Sequence, residues 1–150
     1  MIARWAVCAA CITTLAVASA AWGCTMWMPS PEDELRYQQQ LWKSSDAIFL
    51  ARATPIGPER SSLVPIVSIG GDKPPQRTTA GVILNCGQTP PRGAVIAFAH
   101  RIRPKDVPLQ PWRWGSWYVN GHLQPHEVVD PNLAQRLSQA AARLNSGAQQ

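Results

Sequence analysis

The stretch that decides the fold is Ser45-Asp46-Ala47-Ile48-Phe49-Leu50-Ala51-Arg52-Ala53. Its centre is a continuous apolar run, which is typical of a short strand that is buried on both faces. We therefore predict a first, largely buried β-strand over residues 46–54. Pro55, Gly57 and Pro58 follow it, and this composition predicts a turn that ends the strand.

The segment before this strand predicts a helix from Pro31 to about Lys43. Ser30 is suited to accept hydrogen bonds from the free amides at the helix start, and proline suits the first helical position. The acidic residues that follow favour the positive end of the helix dipole. The candidates for its buried side are Leu35, Leu41 and Trp42. The run Gln38-Gln39-Gln40 is predicted to lie on the exposed side.

The chain after the first strand predicts four more short strands separated by turns. We expect them near residues 63–69, 78–86, 94–99 and 114–119. Pro65 suggests that the second strand lies at a sheet edge, because proline has no N–H to donate to a neighbouring strand. Asn120-Gly121 predicts a tight turn, so that Trp117 to Leu123 would form a short hairpin tip.

A second helix is predicted to begin at Asp130-Pro131, where a capping residue again precedes a proline. Its apolar residues form one stripe at helical spacing: Leu133, Leu137, Ala140, Ala141 and Leu144. Gly147 is its expected stop. A helix, about five short strands and a second helix predict one β-rich α+β domain over residues 21–150, built as a small barrel or sandwich.

Residues 1–20 predict a cleavable secretory signal. Arg4 supplies the positive charge, residues 6–21 are almost continuously apolar, and Ala18-Ser19-Ala20 provides the small residues that signal peptidase reads. An uncleaved membrane anchor is the alternative, although the run is Ala-rich and shorter than the roughly 20 strongly apolar residues that a spanning helix needs. We expect a periplasmic or secreted product with no stable membrane span after cleavage.

Cleavage decides which cysteines remain. Cys8 and Cys11 leave with the leader, and the mature chain keeps Cys24 and Cys86. Two cysteines in an oxidising compartment most simply pair with each other. The bridge would close a loop of about 60 residues and contribute roughly 4 kcal/mol in the chain-entropy model. Two unpaired buried thiols, or lipid modification of Cys24, are the alternatives.

The charge pattern argues against a nucleic-acid partner. The formal net charge of +5 becomes +4 when Arg4 is removed with the leader. The remaining excess is scattered along the chain, without the block of like charges that marks a nucleic-acid arm. A mild positive bias is compatible with contact to anionic envelope surfaces, although a solvated surface is its ordinary interpretation.

The order of these features resembles that of the netrin-like domains, which include the inhibitory domain of the tissue inhibitors of metalloproteinases. Those domains have a five-stranded OB-type barrel flanked by helices, and they enter the first strand through a segment to which Ser45-Asp46-Ala47-Ile48-Phe49 is similar. Cys86-Gly87 is similar to the family's partner cysteine, so the resemblance implies a Cys24–Cys86 bridge. Cys24-Thr25-Met26 departs from the family's Cys-x-Cys opening, and Ala51 stands where the family has glycine.

The resemblance also implies an inhibitory activity. In the inhibitors the mature chain begins at the cysteine, whose free amine and carbonyl chelate the zinc of the target protease. The next side chain enters the protease's specificity pocket. Cys24 and Thr25 would take these roles after a cut behind Gly23, and a cut behind Ala20, which has the better motif, would block the amine. Lipidation of Cys24 would require a large aliphatic residue where Ala21 stands.

The densest aromatic stretch consists of Trp112, Arg113, Trp114, Trp117 and Tyr118. In a strand, alternation would place Trp112 and Trp114 on one face and Trp117 on the other. If these side chains are exposed they form a binding patch, because Trp, Tyr and Arg dominate binding hot spots. If they are buried they are barrel core, and we expect core for at least one of them.

The candidates for enzyme chemistry are His122 and His126, with Glu127 adjacent. On a helix their spacing would place both imidazoles on one face, but Gly121 and Pro125 disfavour a helix there. His100, the third histidine, is distant in sequence, and no Gly-x-Ser-x-Gly elbow occurs.

We therefore predict an exported, non-catalytic binding or inhibitory module with no cofactor, no metal and an unknown protein or envelope ligand. One alternative is an envelope structural or assembly factor that uses the Trp112–Tyr118 surface. The others are an inhibitor with a free Cys24 amino terminus and a metal-dependent enzyme.

Overall fold

The computed structural model describes residues 29–81, 89–113 and 115–147. Within these ranges the chain forms two helices and five strands: α1 Pro31–Ser44, β1 Ala47–Pro55, β2 Arg60–Gly71, β3 Thr78–Gly81, β4 Gly93–Arg101, β5 Trp117–Leu123 and α2 Pro131–Gly147. Two short 3-10 turns, Pro111–Arg113 and Pro125–Glu127, stand before and after β5. The predicted α+β class with a helix near each end is confirmed.

The strands form one antiparallel sheet in the order β3-β2-β1-β4-β5. The outer strands β3 and β5 contact each other, so the sheet curls into a nearly closed barrel. The predicted small five-stranded barrel is therefore confirmed. Ala47 at the start of β1 lies opposite Ala99 near the end of β4. As a result, the β4–β5 loop and the β1–β2 turn lie at opposite ends of the barrel.

The barrel interior is filled mainly by small side chains. Ala47, Phe49, Ala51 and Ala53 of β1 point inward and are at most 4% exposed. The other strands complete this cluster with Leu63, Ala80, Val95, Ala97 and Ala99. The narrow interior of a small barrel is filled by side chains, often of alternating small and large size. This explains why the inward positions of β1 hold alanines and one large residue, Phe49.

A second apolar cluster lies between the outside of the barrel and the helices. Ile48 of β1 and Phe98 of β4 face outward into it. The remaining buried members are Leu41, Ile69, Ile96, Leu123, Leu133 and Ala140. Because both faces of β1 are covered over its first half, that part of the strand is apolar at every position, as the sequence indicates.

Both predicted helix starts are confirmed. The Ser30 hydroxyl oxygen accepts a hydrogen bond from the Asp33 amide at 3.1 Å. The Asp130 carboxylate accepts from the amides of Asn132 at 2.7 Å and Leu133 at 3.1 Å. These bonds satisfy amides that have no partner within the helix, and each cap contributes about 1 kcal/mol.

The hairpin predicted at Asn120-Gly121 is wrong, because β5 runs without a turn from Trp117 to Leu123. Phe98 lies opposite Gly121 whereas Ala99 lies opposite Val119, so Asn120 is the extra residue of a β-bulge. The glycine serves a close approach instead. A Cβ atom at this position would lie 2.6 Å from Leu41 Cδ2.

The edge position predicted from Pro65 is also wrong for the strand as a whole, since β2 lies between β3 and β1. However, β3 pairs only with Arg60–Leu63. On its other side, Pro65 lies opposite Ala51 at an irregularity of the β1–β2 register. Proline is accommodated because β3 ends before reaching it. The part of the third predicted strand beyond Gly81 lies outside the described residues.

The prediction that Gln38 lies on the exposed side of α1 is wrong. Its side chain is buried, and the residue is 1% exposed. Its side-chain oxygen accepts hydrogen bonds from the amides of Val129 at 3.0 Å and Asp130 at 3.1 Å. Its side-chain nitrogen donates to the carbonyl oxygen of Glu127 at 2.8 Å and to Glu34 Oε1 at 2.9 Å. One glutamine amide therefore fastens α1 to the segment that enters α2.

Candidate functional site

The loop between β4 and β5 carries the most exposed large apolar side chains of the described residues. Leu109 is 88% exposed and Trp112 is 75% exposed. We call these two side chains the apolar tip. Most large apolar side chains of the domain lie in one of the two core clusters, so the apolar tip requires a local explanation.

The loop is closed at its base by two backbone hydrogen bonds. The Ile102 amide donates to the carbonyl oxygen of Ser116, and the Gly115 amide donates to that of Ile102, both at 2.8 Å. Ile102 is 5% exposed and anchors the base in the protein. Gly115 has a φ of +77°, a conformation that glycine adopts without strain.

Between these ends the loop folds as a series of turns. The Asp106 amide donates to Arg103 O at 2.9 Å, and the Gln110 amide donates to Val107 O at 3.1 Å. The Arg113 amide donates to Gln110 O at 2.9 Å within the 3-10 turn that carries Trp112. Prolines also fix φ along the segment. The apolar tip is therefore held away from the core by a locally ordered backbone.

The predicted aromatic stretch is divided by the structure. Trp112 and Arg113 lie in a 3-10 turn and are exposed. The alternation considered for a strand therefore does not apply to Trp112, which stands before the predicted strand. Proline suits the first position of this turn because its fixed φ is close to the helical value. Trp117 is partly buried against the barrel interior, as expected of a core residue, with the Arg101 guanidinium 4.8 Å from its ring centroid. Trp114 lies outside the described residues.

Tyr118 completes the exposed part of the aromatic stretch, at 43% exposure. Its ring meets His100 edge-on, with ring centroids 5.5 Å apart. His100 in turn lies between two carboxylates. Its Nδ1 is 2.8 Å from Asp46 Oδ2, outside the angle of a hydrogen bond, and its Nε2 is 3.4 Å from Asp106 Oδ2. The two ring nitrogens therefore face different acids. This arrangement supports the base of the loop, but the three side chains do not point toward one common ligand position.

Asp46 joins the start of β1 to the end of β4 and the base of the loop. Its carboxylate accepts a hydrogen bond from the Arg101 amide at 2.8 Å and pairs with the Arg103 guanidinium. The Arg103 amide donates to the Asp106 carboxylate at 2.8 Å. That bond is the main cause of the lowered pKa of Asp106, which burial opposes only in part. Asp46, near the start of the stretch 45–53 that decides the fold, thus has a structural role.

A polar cleft of about 640 Å³ lies at another part of the surface, between α1, residues 89–92 and the end of β5. Its lining includes Glu34, Tyr37, Arg92, His122 and Glu127. Burial lowers the pKa of His122, and the nearby Glu127 carboxylate partly opposes the shift. Glu127 Oε2 also accepts a hydrogen bond from the Gln124 amide at 2.6 Å, so this acid is engaged in the turn.

The two histidines considered as metal ligands lie on different elements. His122 belongs to β5 and lines the cleft, whereas His126 belongs to the 3-10 turn and is absent from the cleft lining. The two histidines do not share one helix, because β5 ends at Leu123 and the 3-10 turn begins at Pro125. Among the residues that the structure describes, no group of three or more His, Cys, Asp or Glu is arranged to hold a metal ion.

Several predicted features lie outside the described residues, namely the leader, Cys24, Thr25 and Cys86. The pairing and processing of these cysteines therefore remain predictions. None of the described helices is long and apolar enough to cross a membrane.

Sequence reasoning missed Leu109, the buried Gln38 and the contacts of Asp46. For Leu109 a signal was present, because a lone large apolar residue between Pro108 and Pro111 belongs to no periodic pattern that would bury it. Comparison with known proteins finds no matching family model, no matching curated protein and no matching solved structure.

Proposed function

We propose that this chain is an exported, non-catalytic binding module and that the apolar tip is its contact surface. The observation that carries the proposal is the 88% exposure of Leu109 together with the 75% exposure of Trp112 on one loop. Apolar surface gains roughly 25 cal/mol per Å² when it is removed from water, and a large aromatic side chain offers about 150–250 Å². The domain itself leaves most of this gain unused.

The backbone of the loop supports the same proposal. Binding is weakened when flexible groups must be ordered in the complex. Here the turns around Val107 and Gln110 and the closed base at Ile102 already order the segment. A partner would therefore meet Trp112 in a backbone conformation that is held before binding.

The envelope-factor alternative shares Trp112 with the apolar tip, and its other described aromatic residue that is exposed, Tyr118, lies in β5. The inhibitor alternative depends on a free amino terminus at Cys24, and the metal-enzyme alternative depends on convergence of His122 and His126. No contact of the described residues supports either of these two. The netrin-like resemblance likewise remains a prediction and is compatible with a binding module.

The test is site-specific photo-crosslinking in cells that produce and export the full chain. A photoreactive residue replaces Trp112 in one variant and Ile56 in the control. Ile56 is 59% exposed and follows β1 at the opposite end of the barrel. We expect a discrete adduct at position 112 and none at position 56. Equal labelling at both positions would refute the apolar tip as the contact surface, and so would the absence of any protein or lipid adduct at position 112.

A further inference from the structure

We propose that the ligand of the apolar tip is an anionic lipid surface, into which Leu109 and Trp112 insert while neighbouring cations contact the headgroups. This inference rests on the proposed function and specifies its ligand. It is carried by the charges around the tip and by the types of residue that the tip combines.

Two cations flank the apolar tip in sequence. Lys105 and Arg113 stand on either side of it in sequence, and neither forms a salt bridge with a described residue. Arg113 makes only a long hydrogen bond, from Nη1 to Gln110 Oε1 at 3.4 Å. Lys105 has one acid close enough to interact, since it contributes to lowering the pKa of Asp106.

The acids of this end of the barrel are already engaged below the tip. Asp46 pairs with Arg103, and Asp106 accepts from the Arg103 amide and faces His100. Asp72 lies 3.9 Å from Arg101. The apolar tip is therefore accompanied by available positive charge, and the complementary partner carries negative charge.

Two of the four residue types, lysine and leucine, favour a lipid surface over an acidic protein, whereas tryptophan and arginine suit either partner. Lysine is depleted in protein interfaces, and leucine is under-represented among their hot spots. At a membrane interface, by contrast, tryptophan lies at the headgroup level and leucine inserts among the acyl chains. Lysine and arginine extend along the apolar surface to place their charges among the headgroups. The loop combines all four residue types, since Lys105 and Arg113 flank the apolar tip in sequence.

The tip also has a suitable shape. A side chain that is 88% exposed projects from the surface instead of lining a concavity, so it can enter a soft interface without a shaped pocket. Two inserted side chains and two cations constitute a modest anchor. We therefore expect reversible adsorption that weakens as salt screens the headgroup charge.

The experiment is flotation of the exported, purified full chain with vesicles. One set contains phosphatidylglycerol and phosphatidylcholine in equal amounts, and the other contains phosphatidylcholine alone. We expect flotation with the anionic vesicles only. The double variant Leu109→Ser/Trp112→Ser removes the apolar tip, and we expect about tenfold weaker partitioning for each side chain lost. The double variant Lys105→Gln/Arg113→Gln should lose about fivefold for each charge.

The matched control variants are Ile56→Ser and Arg60→Gln. Both residues are exposed and lie at the β1–β2 turn, at the other end of the barrel. We expect wild-type partitioning from each control. Thermal unfolding of every variant is compared with wild type, since all the substituted side chains are exposed and the fold should be retained.

Three results would overturn the lipid proposal. They are no flotation of the wild-type chain, equal flotation with both vesicle sets, and unchanged flotation of the Leu109→Ser/Trp112→Ser variant. The crosslinking experiment separates this failure from failure of the proposed function. A protein adduct at position 112 without vesicle binding would refute the lipid ligand and keep the binding module, whereas absence of any adduct and of flotation would refute both.

Discussion

Replacing Gln38 with alanine tests how the N-terminal helix is fastened to the rest of the domain. The substitution removes a side-chain amide that makes four hydrogen bonds while only 1% exposed. The amides of Val129 and Asp130 and the carbonyl oxygen of Glu127 lose their side-chain partner. Glu34 loses its contact too, but this acid lies near the surface and can be rehydrated.

The expected loss of stability follows from these bonds. A hydrogen bond contributes about 1 kcal/mol net, and a buried group left without a partner costs about 1–3 kcal/mol. For the three backbone groups we expect Gln38→Ala to lower the free energy of unfolding by about 3 kcal/mol. This is a large fraction of the roughly 5–15 kcal/mol that stabilises a typical domain.

The assay is urea unfolding followed by circular dichroism, with Gln40→Ala as the matched control. Gln40 lies in the same helix and is exposed, so the same substitution there should change the free energy of unfolding by less than about 0.5 kcal/mol. Gln38→Met, which keeps the length of the side chain without its donors and acceptors, should behave like Gln38→Ala. Equal stabilities of the Gln38→Ala and Gln40→Ala variants would refute the reasoning.

Three further predictions concern the bulge, the loop base and the cleft. Gly121→Ala should destabilise the domain by about 1–3 kcal/mol, because the new Cβ would meet Leu41. The control Gly57→Ala places its Cβ in open space and should be nearly neutral, so equal shifts of the melting temperature in the two variants would contradict this prediction. Asp46→Asn should lower the free energy of unfolding by about 2 kcal/mol, because charge-assisted hydrogen bonds are lost at the start of β1. The control Asp72→Asn changes a side chain that is 61% exposed and should alter the free energy of unfolding little, and urea unfolding of both variants measures the difference. Burial lowers the pKa of His122 below its usual 6.5, so the unfolded chain takes up this proton at a higher pH than the folded chain. The free energy of unfolding should therefore decrease as pH falls from 6.5 toward the folded-state pKa, and His122→Gln should remove this contribution to the pH dependence of stability. An NMR titration that puts the folded-state pKa of His122 at or above 6.5 would contradict this prediction.

Local chemistry made a large part of the fold predictable. Ser30 and Asp130 can satisfy free amides only at a helix start, and each precedes a proline, so both helices were predicted within a residue of their observed starts. The apolar run of β1 required burial on both faces. Only a strand between the barrel interior and the helices provides this environment.

The wrong predictions concern residues whose role is set by distant parts of the chain. Asn120-Gly121 has the composition of a turn, but Leu41 of α1 lies over Gly121 and makes glycine necessary within a strand. Gln38 looks like any exposed glutamine until the backbone at Val129 and Asp130 is brought against it. Neither contact is visible in the local pattern.

The candidate site was predictable in part. The aromatic stretch was identified, but the 3-10 turn that carries Trp112 was not predicted. Leu109 was not selected because hot-spot arguments favour aromatic residues and arginine. The available signal for its exposure was its position between Pro108 and Pro111, outside any periodic pattern.

We propose that the chain acts outside the cytoplasm with a Cys24–Cys86 bridge, and intact-mass analysis of the exported protein tests both parts of this proposal most directly. We predict a chain that begins at Ala21 and gains two hydrogen atoms on reduction, as one bridge between Cys24 and Cys86 requires. A chain that begins at Cys24 would instead revive the inhibitor alternative. A chain that retains Met1 and carries free thiols at Cys24 and Cys86 would contradict the account.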